Sequence, residues 1–202
     1  MTTKTVAIDG NGVIFDPAAK VKALMKVSGI YIPTYHFNGR ESAENNFGVP
    51  SSKYDEAMSL LYETDYFFEV TELMPGAKEG LLRLSASGYV ISLVSGCRGL
   101  TADRIWRLCN QHDLPIAEVI TNEKDKTDFY GACDVVIDDE LRHLTPITAL
   151  NDNSTVPIFM LPPPGGTGSG TIRSSGRLHR RIRIASGWSQ VLQHIPDLKK
   201  AA

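Results

Sequence analysis

The chain has 202 residues, of which 42% are hydrophobic and 8% aromatic, so it can bury one ordinary core with a small appended subdomain but not two full-sized domains. Its formal net charge of −2 and its sequence pI of about 6.2 give no overall basic field, which argues against a dedicated nucleic-acid-binding protein. The three cysteines form no CxxC pair, and the sequence has neither a signal-peptide pattern nor a transmembrane window, so we expect a reducing, cytoplasmic setting away from membranes.

The first predicted element is a buried β-strand that ends in a tight loop. Apolar runs flank the sequence Asp9-Gly-Asn-Gly within residues 5–15. The following stretch, residues 17–74, is too long for a simple crossover and contains helical patterns at 18–27 and 52–63. We therefore predict a small helical cap at residues 17–74, inserted after the first strand.

Helix and strand patterns alternate from residue 75 onwards. Helical patterns cover residues 77–85 and 102–112, and strand patterns cover residues 89–94, 135–137 and 156–161. This alternation predicts an α/β fold with a Rossmann-like, three-layer parallel sheet that is covered on both faces. The predicted core domain comprises residues 1–16 and 75–202.

The C-terminal third contains a linker-like segment and a basic segment. The linker-like segment is PPPGGTGSG at residues 162–170, which lacks the Gly-Lys-Ser/Thr sequence of a nucleotide P-loop. Five arginines follow between residues 173 and 183. We expect this basic segment to be a solvated, mobile loop.

Polar residues capable of phosphate chemistry follow the predicted strands. In an open parallel sheet, ligands collect beyond the carboxyl ends of the strands. Carboxylates from two strand ends can share one Mg²⁺, while a hydroxyl and an ammonium group hold the remaining phosphate oxygens. The residues in question are Asp9, Ser95, Asp138 and Asp139, with Lys124 and Lys126 before the third of these strands.

Four motifs in this order resemble those of the haloacid dehalogenase superfamily. They are Asp9-Gly-Asn-Gly-Val followed by Asp16, then Val94-Ser95-Gly96, then Lys126, and finally Ile137-Asp138-Asp139. Within that superfamily the chain looks most like the 5′(3′)-deoxyribonucleotidases, on residues 66–68 leading to 74–77, on 125–127 and on 186–188. The resemblance implies a phosphomonoester hydrolase with a small phosphorylated substrate, such as a nucleotide.

The resemblance also implies a role for each motif residue. Asp9 would attack phosphorus and form an aspartyl-phosphate that water later hydrolyses. Mg²⁺ would be held by Asp9, the backbone carbonyl of Asn11 and Asp138, with Asp139 helping directly or through water. The expected substrate contacts are Ser95, Gly96, Phe15 and Lys126, with Lys124 as the alternative to Lys126.

Asn11 departs from the superfamily pattern. Phosphatases of this superfamily have an aspartate two residues after the nucleophile as general acid and base, and an amide cannot transfer the proton. Asn11 therefore leaves three natural explanations open: a slow phosphatase, a phosphonate or haloacid hydrolase, or a relative that binds a phosphorylated ligand or partner without turnover. An asparagine introduced by engineering would be a fourth.

Three further features have ordinary explanations in the sequence. The cap aromatics could stack a nucleobase, but packing of the cap onto the core is the expected role of each. The five histidines show no ligand spacing, and Cys97 is expected to be a small buried thiol.

Overall fold

A computed structural model describes residues 3–33, 39–97, 99–121, 126–150, 154–161, 179–195 and 198. Its strands are β1 (Lys4–Asp9), β2 (Tyr89–Ser95), β3 (Glu118–Thr121), β4 (Val135–Asp138), β5 (Val156–Met160) and β6 (Arg183–Ala185). Its helices are α1 (Ala18–Ser28), α2 (Gly39–Phe47), α3 (Ser51–Glu63), α4 (Tyr66–Val70), α5 (Ala77–Ala86), α6 (Ala102–Gln111), α7 (Thr127–Gly131), α8 (Leu141–Ala149) and α9 (Trp188–His194).

The strands form one parallel sheet in the order β3-β2-β1-β4-β5-β6. The chain runs outward from β1 to β2 and β3 and then returns to the other side of β1, so the order reverses between β1 and β4. Such a reversal opens a crevice at the carboxyl ends of the two strands. The predicted α/β, Rossmann-like parallel sheet is confirmed.

Both faces of the sheet are covered by apolar packing. Successive side chains of a strand point to opposite faces, and β1 shows this directly: Val6 and Ile8 belong to one core cluster, whereas Ala7 belongs to the other. The first cluster includes residues of α5, α6 and α9, and the second includes residues of α8. This two-sided burial explains why β1 and β4 are almost continuously apolar.

Two strands were not predicted from the sequence. β3 is only 4 residues long and none of its residues is fully buried, so its hydrophobic pattern is weak. β6 begins at Arg183, where a solvated, mobile loop was expected, and that expectation is wrong for this end of the basic segment. Pairing with β5 provides hydrogen bonds along one edge of β6. Arg181 donates hydrogen bonds to the carbonyls of Thr148 and Leu150 at 3.0 and 3.3 Å. Residues 162–170, Arg173 and Arg177 lie outside the described residues.

The predicted cap segment leaves and re-enters the sheet domain at adjacent points. The backbone N–H of Asp16 donates to the carbonyl of Glu72 at 2.8 Å, and that of Met74 donates to the carbonyl of Ile14 at 2.8 Å. Between these two contacts the described residues form α1 to α4, and α1 packs against α3. The helical content is as expected, while a separate cap domain stays a prediction. Across the described part of the chain, none of the helices combines the length and the apolar character needed to span a bilayer.

Trp188 fastens the loop after β1 to the rest of the domain. Its side chain is 2% exposed, and its indole N–H donates to the carbonyl of Val13 at 2.9 Å. Helix α5 approaches the indole so closely that a Cβ on Gly80 would lie 2.2 Å from Trp188 Cε3. Only a glycine at this position lets α5 and the indole support the loop together.

Gly80→Ala is therefore expected to destabilise the fold, although alanine normally favours a helix. The indole is enclosed and hydrogen-bonded, so it cannot shift without loss, and overpacking of this kind costs about 1–3 kcal/mol. Urea unfolding would measure the change, with Ser85→Ala at an exposed position of α5 as the matched control. A Gly80→Ala protein as stable as the control would contradict the proposed close contact.

Candidate active site

A cavity of about 340 Å³ opens at the carboxyl ends of β1 and β4. It lies where the strand order reverses, the place at which open α/β sheets bind ligands. Charged and polar side chains dominate its walls. The lining residues are Asp9, Asn11, Lys20, Gly96, Cys97, Lys126, Asp138, Asp139, Glu140, Arg142 and His143.

The buried ammonium group of Lys126 joins the ends of β1 and β4. Its Nζ lies 2.5 Å from Asp9 Oδ1 and 3.1 Å from Asp138 Oδ2. All three side chains are buried, with 2% of Lys126 and none of Asp138 exposed. The buried position lowers the local dielectric, and this increases the attraction between the Lys126 ammonium group and the two carboxylates.

Asp138 accepts hydrogen bonds through both of its carboxylate oxygens. Oδ2 accepts from the hydroxyl of Tyr130 at 2.7 Å and lies 3.0 Å from Nδ1 of His143. Oδ1 accepts from the backbone N–H of Glu140 at 2.7 Å. With Lys126 as a further donor to Oδ2, Asp138 is fixed in one orientation and acts as the anchor of the cluster.

These contacts shift the pKa values of Asp9 and Asp138 in opposite directions. Burial raises the pKa of Asp9 to about 6, with the Lys126 charge opposing the rise and the Asp138 charge adding to it. At Asp138 burial also acts upward, but the hydrogen bond from His143 and the charge of Lys126 outweigh it and hold its pKa below the usual range. Lys126 itself has a raised pKa, because its two carboxylate neighbours outweigh its burial. Asp9 is thus ionised at neutral pH.

The loop after β1 passes directly over Asp139. Gly12 has φ +87, and a Cβ built there would lie 2.3 Å from Asp139 Oδ2. The close approach and the left-handed backbone both require glycine at this position. Burial, together with the charges of Asp9 and Asp138, raises the pKa of Asp139 well above its usual value. Three carboxyl groups, those of Asp9, Asp138 and Asp139, thus lie together at this edge of the sheet.

A cluster of carboxylate oxygens of this kind suits a hard divalent cation. Magnesium binds a few carboxylate or carbonyl oxygens and takes its remaining ligands from water and substrate phosphate. Asp9, Asn11 and Asp139 border the cavity, and a cation among them would relieve the repulsion that raises the pKa of Asp139. Among the described residues there is no group of three or more His, Cys, Asp or Glu side chains arranged to hold a metal by themselves. The donor set therefore fits a site completed by main chain, water and substrate.

Known structures of similar fold place this geometry in context. A hydrolase of the haloacid dehalogenase family from Deinococcus radiodurans, solved with bound phosphate and sodium, superposes with a TM-score of 0.64 at 15% identity over 97% of this chain and 96% of that one. A predicted phosphoglycolate phosphatase from Haemophilus somnus gives a TM-score of 0.59 at 13% identity over 96% and 98% of the two chains. The chain has the haloacid dehalogenase-like fold. A haloacid dehalogenase-like family hydrolase from Xanthomonas campestris gives 0.56 at 12% identity over 98% of each chain.

Sequence comparison adds nothing to this assignment of fold. No protein-family model matches the chain, and no curated protein matches it either. Identities of 12 to 15% to the solved structures establish the haloacid dehalogenase-like fold alone. Activity must accordingly be argued from the side chains at the site.

Two of the predicted site residues do not line the cavity of this haloacid dehalogenase-like fold. Ser95 is 2% exposed, and its hydroxyl accepts a hydrogen bond from the backbone N–H of Cys97 at 3.4 Å. Phe15 belongs to the apolar core, next to Gly10, which indicates a packing role in place of the expected substrate contact. Asn11 and Gly96 do line the cavity, and Lys124 lies outside the described residues.

Several site residues were missed by sequence reasoning. Cys97 was expected to be buried, but it is half-buried and lines the cavity. His143 was set aside with the other histidines, although its position shortly after the acidic pair, on the first turn of α8, could have suggested it. Lys20 and Tyr130 carried no signal, because each reaches the site from a different helix.

Proposed function

We propose that this protein is a Mg²⁺-dependent phosphomonoester hydrolase that acts through an aspartyl-phosphate at Asp9. The observation that carries the proposal is the convergence of Asp9, Lys126 and Asp138 at the carboxyl ends of β1 and β4, with Asp139 beside them. An anionic nucleophile, a buried cation and further carboxylate oxygens are the groups that phosphoryl transfer requires. The similar structure from D. radiodurans holds a phosphate, which supports the same class of ligand here.

In the proposed first step, the carboxylate of Asp9 attacks phosphorus and the ester oxygen departs. Lys126 holds the attacking carboxylate in place and stabilises charge on the transferring phosphoryl group. In the second step, water attacks the aspartyl-phosphate, releasing phosphate and restoring the Asp9 carboxylate. Asp138 positions Lys126 throughout, because its own orientation is fixed by Tyr130, His143 and the Glu140 N–H.

Asp9, Asp139 and the carbonyl of Asn11 are the proposed Mg²⁺ ligands. When bound, Mg²⁺ would supply positive charge to the phosphate oxygens and so lower the repulsion between the phosphate and the carboxylate that attacks it. Asp138 would not bind the metal directly, since both of its oxygens already accept hydrogen bonds from protein donors. Its role would be to position Lys126. The sequence led us to expect Asp138 as the direct ligand and Asp139 as the helper. The hydrogen bonds to Asp138 are the reason that we propose the opposite roles.

A relative that binds a phosphorylated ligand or partner without turnover is the second candidate. Asn11 lines the cavity, and an amide cannot supply a proton to the leaving group. A positioned general acid typically increases the rate by about 10²–10⁴-fold. Its loss therefore lowers the catalytic rate but leaves the binding groups of the site in place. A phosphonate or haloacid substrate, whose leaving group differs, is a further class within this proposal.

Small phosphate esters are the proposed substrates, with nucleotides as one class among them. No aromatic side chain of the described residues lines the cavity, so base stacking has no platform there. Phe68 is instead occupied by Arg107, whose guanidinium lies 4.0 Å from the ring centroid, while Phe67 is buried.

A phosphate-release screen over nucleotides and sugar phosphates tests the proposed function. We expect release of inorganic phosphate that requires added Mg²⁺ and stops when the metal is chelated, because the neighbouring carboxylates of Asp9 and Asp139 would otherwise repel the phosphate group beside them. Calcium in place of magnesium serves as the control for charge without the octahedral geometry that Mg²⁺ prefers. Phosphate release that is equally fast in the chelator would exclude the proposed metal site.

A further inference from the structure

Helix α1 of the segment 17–74 places a lysine in the wall of the cavity. Lys20 is partly buried and lines the cavity together with the acidic residues at the strand ends. Its neighbour along the same helix, Lys22, points elsewhere, because its Nζ forms an ion pair with Glu72 Oε1 at 2.5 Å. One of two closely spaced lysines on α1 is thus directed to the site.

Lys20 makes no hydrogen bond or ion pair with any residue that the structure describes. The other cationic side chains of the cavity are already engaged: Lys126 by Asp9 and Asp138, and Arg142 by Glu140. An enclosed ammonium group without a partner costs free energy, since burial removes part of its hydration. A ligand that supplies a negative charge would remove that cost.

The surroundings of Lys20 keep it charged. Burial acts to lower the pKa of the ammonium group, but nearby acidic groups outweigh that effect and raise its pKa above the usual value. Among the neighbours that act upward, Asp139 is the carboxyl group. Tyr62 also donates a hydrogen bond to the sulfur of Cys97 at 3.8 Å, which fixes this wall of the cavity beside Lys20.

We infer that Lys20 binds a second anionic group of the substrate, so that the preferred ligands are small phosphate esters that also carry a carboxylate or a second phosphate. The first phosphate would occupy the end of the cavity at Asp9 and Lys126, and the second anion would reach the α1 wall. The inference rests on the proposed function, because both use the same cavity. Lys20 would then be a specificity-determining residue, and segment 17–74 would contribute directly to substrate choice.

A structural role for Lys20 is the rival explanation. The ammonium group could simply balance the acidic residues of the cavity, since Asp139 contributes to its raised pKa. In that case, removal of the Lys20 ammonium group would weaken the binding of every phosphate ester to the same extent. Ligands that differ only in the second group therefore separate the two roles.

The test uses short phosphate monoesters with two or three carbon atoms between the phosphate and a terminal group. The terminal group is a hydroxyl, a carboxamide, a carboxylate or a second phosphate, so the carboxamide and carboxylate form a pair of nearly equal shape and unequal charge. Dissociation constants are measured by calorimetry with Mg²⁺ present, alongside KM and kcat where the ester is hydrolysed. Binding is thus measured even if no ester is turned over.

Lys20→Met is expected to weaken binding of the carboxylate and bisphosphate esters by about 10- to 100-fold, the usual value of a hydrogen bond to a charged group. The dissociation constants of the hydroxyl and carboxamide esters should change by less than about threefold. Lys20→Arg should restore most of the lost affinity, because it restores the charge. Lys22→Met is the matched control, since it removes an equal charge from α1 outside the cavity, and it should leave all four esters unchanged.

The inference would be overturned if Lys20→Met weakened the binding of esters with charged and uncharged terminal groups equally. Lys20 would then have a charge-balancing role. The inference would also fail if wild-type protein bound the carboxylate ester no more tightly than the carboxamide. Absence of hydrolysis in every case, with the charge-dependent binding retained, would instead overturn the proposed hydrolase and leave the role of Lys20 standing.

Discussion

Asp9→Asn is expected to lower phosphate release by a factor on the order of 10⁵ or more, the scale of loss seen when a covalent nucleophile is removed. Asp9 ends β1 within 2.5 Å of Lys126, and no other carboxylate is proposed to attack phosphorus. An amide at this position keeps the shape of the side chain but has no negative charge with which to attack. Single-turnover phosphate release in the presence of Mg²⁺ would measure the loss.

Asp134→Asn is the matched control for this substitution. Asp134 precedes β4 at the opposite end of the sheet, where its Oδ2 accepts a hydrogen bond from the backbone N–H of Thr5 at 2.7 Å. It should lower thermal stability without lowering kcat, and Asp9→Ala guards against recovery of aspartate by deamidation of the asparagine. Activity within about tenfold of wild type in Asp9→Ala, a change far below the usual effect of losing a nucleophile, would rule out the aspartyl-phosphate route.

Asn11→Asp is expected to raise the rate of phosphate release by about 10²-fold or more, within the usual range for a general acid. Asn11 lines the cavity, so a carboxyl group there can reach the leaving oxygen of a bound ester. Steady-state kcat over a series of leaving groups would measure the effect, which should be largest for the poorest leaving group.

Asn45→Asp is the control for added charge, because Asn45 is exposed on α2 and does not line the cavity. It should leave kcat unchanged. Asp9→Asn combined with Asn11→Asp should be inactive, since the added acid has no nucleophile to assist. If neither wild type nor Asn11→Asp releases phosphate while both bind Mg²⁺, the protein is better explained as a binder of phosphorylated ligands.

Much of the fold could be predicted from local sequence patterns. β1, β2, β4 and β5 are buried on both faces, and that burial leaves continuous apolar runs that are visible in the sequence. β3 and β6 lack such runs because they have one neighbouring strand each and remain partly exposed at the edges of the sheet. Their pairing depends on the strands beside them, which a local pattern does not contain.

The same distinction applies to the candidate site. By itself the sequence determined a parallel α/β fold and placed Asp9 and the acidic pair at strand ends, since the residue that follows a buried strand faces the ligand-binding edge. It placed Lys126 on the approach to β4, with Lys124 as the alternative. Only the tertiary structure decided that Lys126 lies between Asp9 and Asp138, that Ser95 and Phe15 do not line the cavity, and that Lys20 does. The physical reason is that these contacts join residues far apart in the chain, up to 117 positions for Lys126 and Asp9, so they depend on how whole helices pack against the sheet.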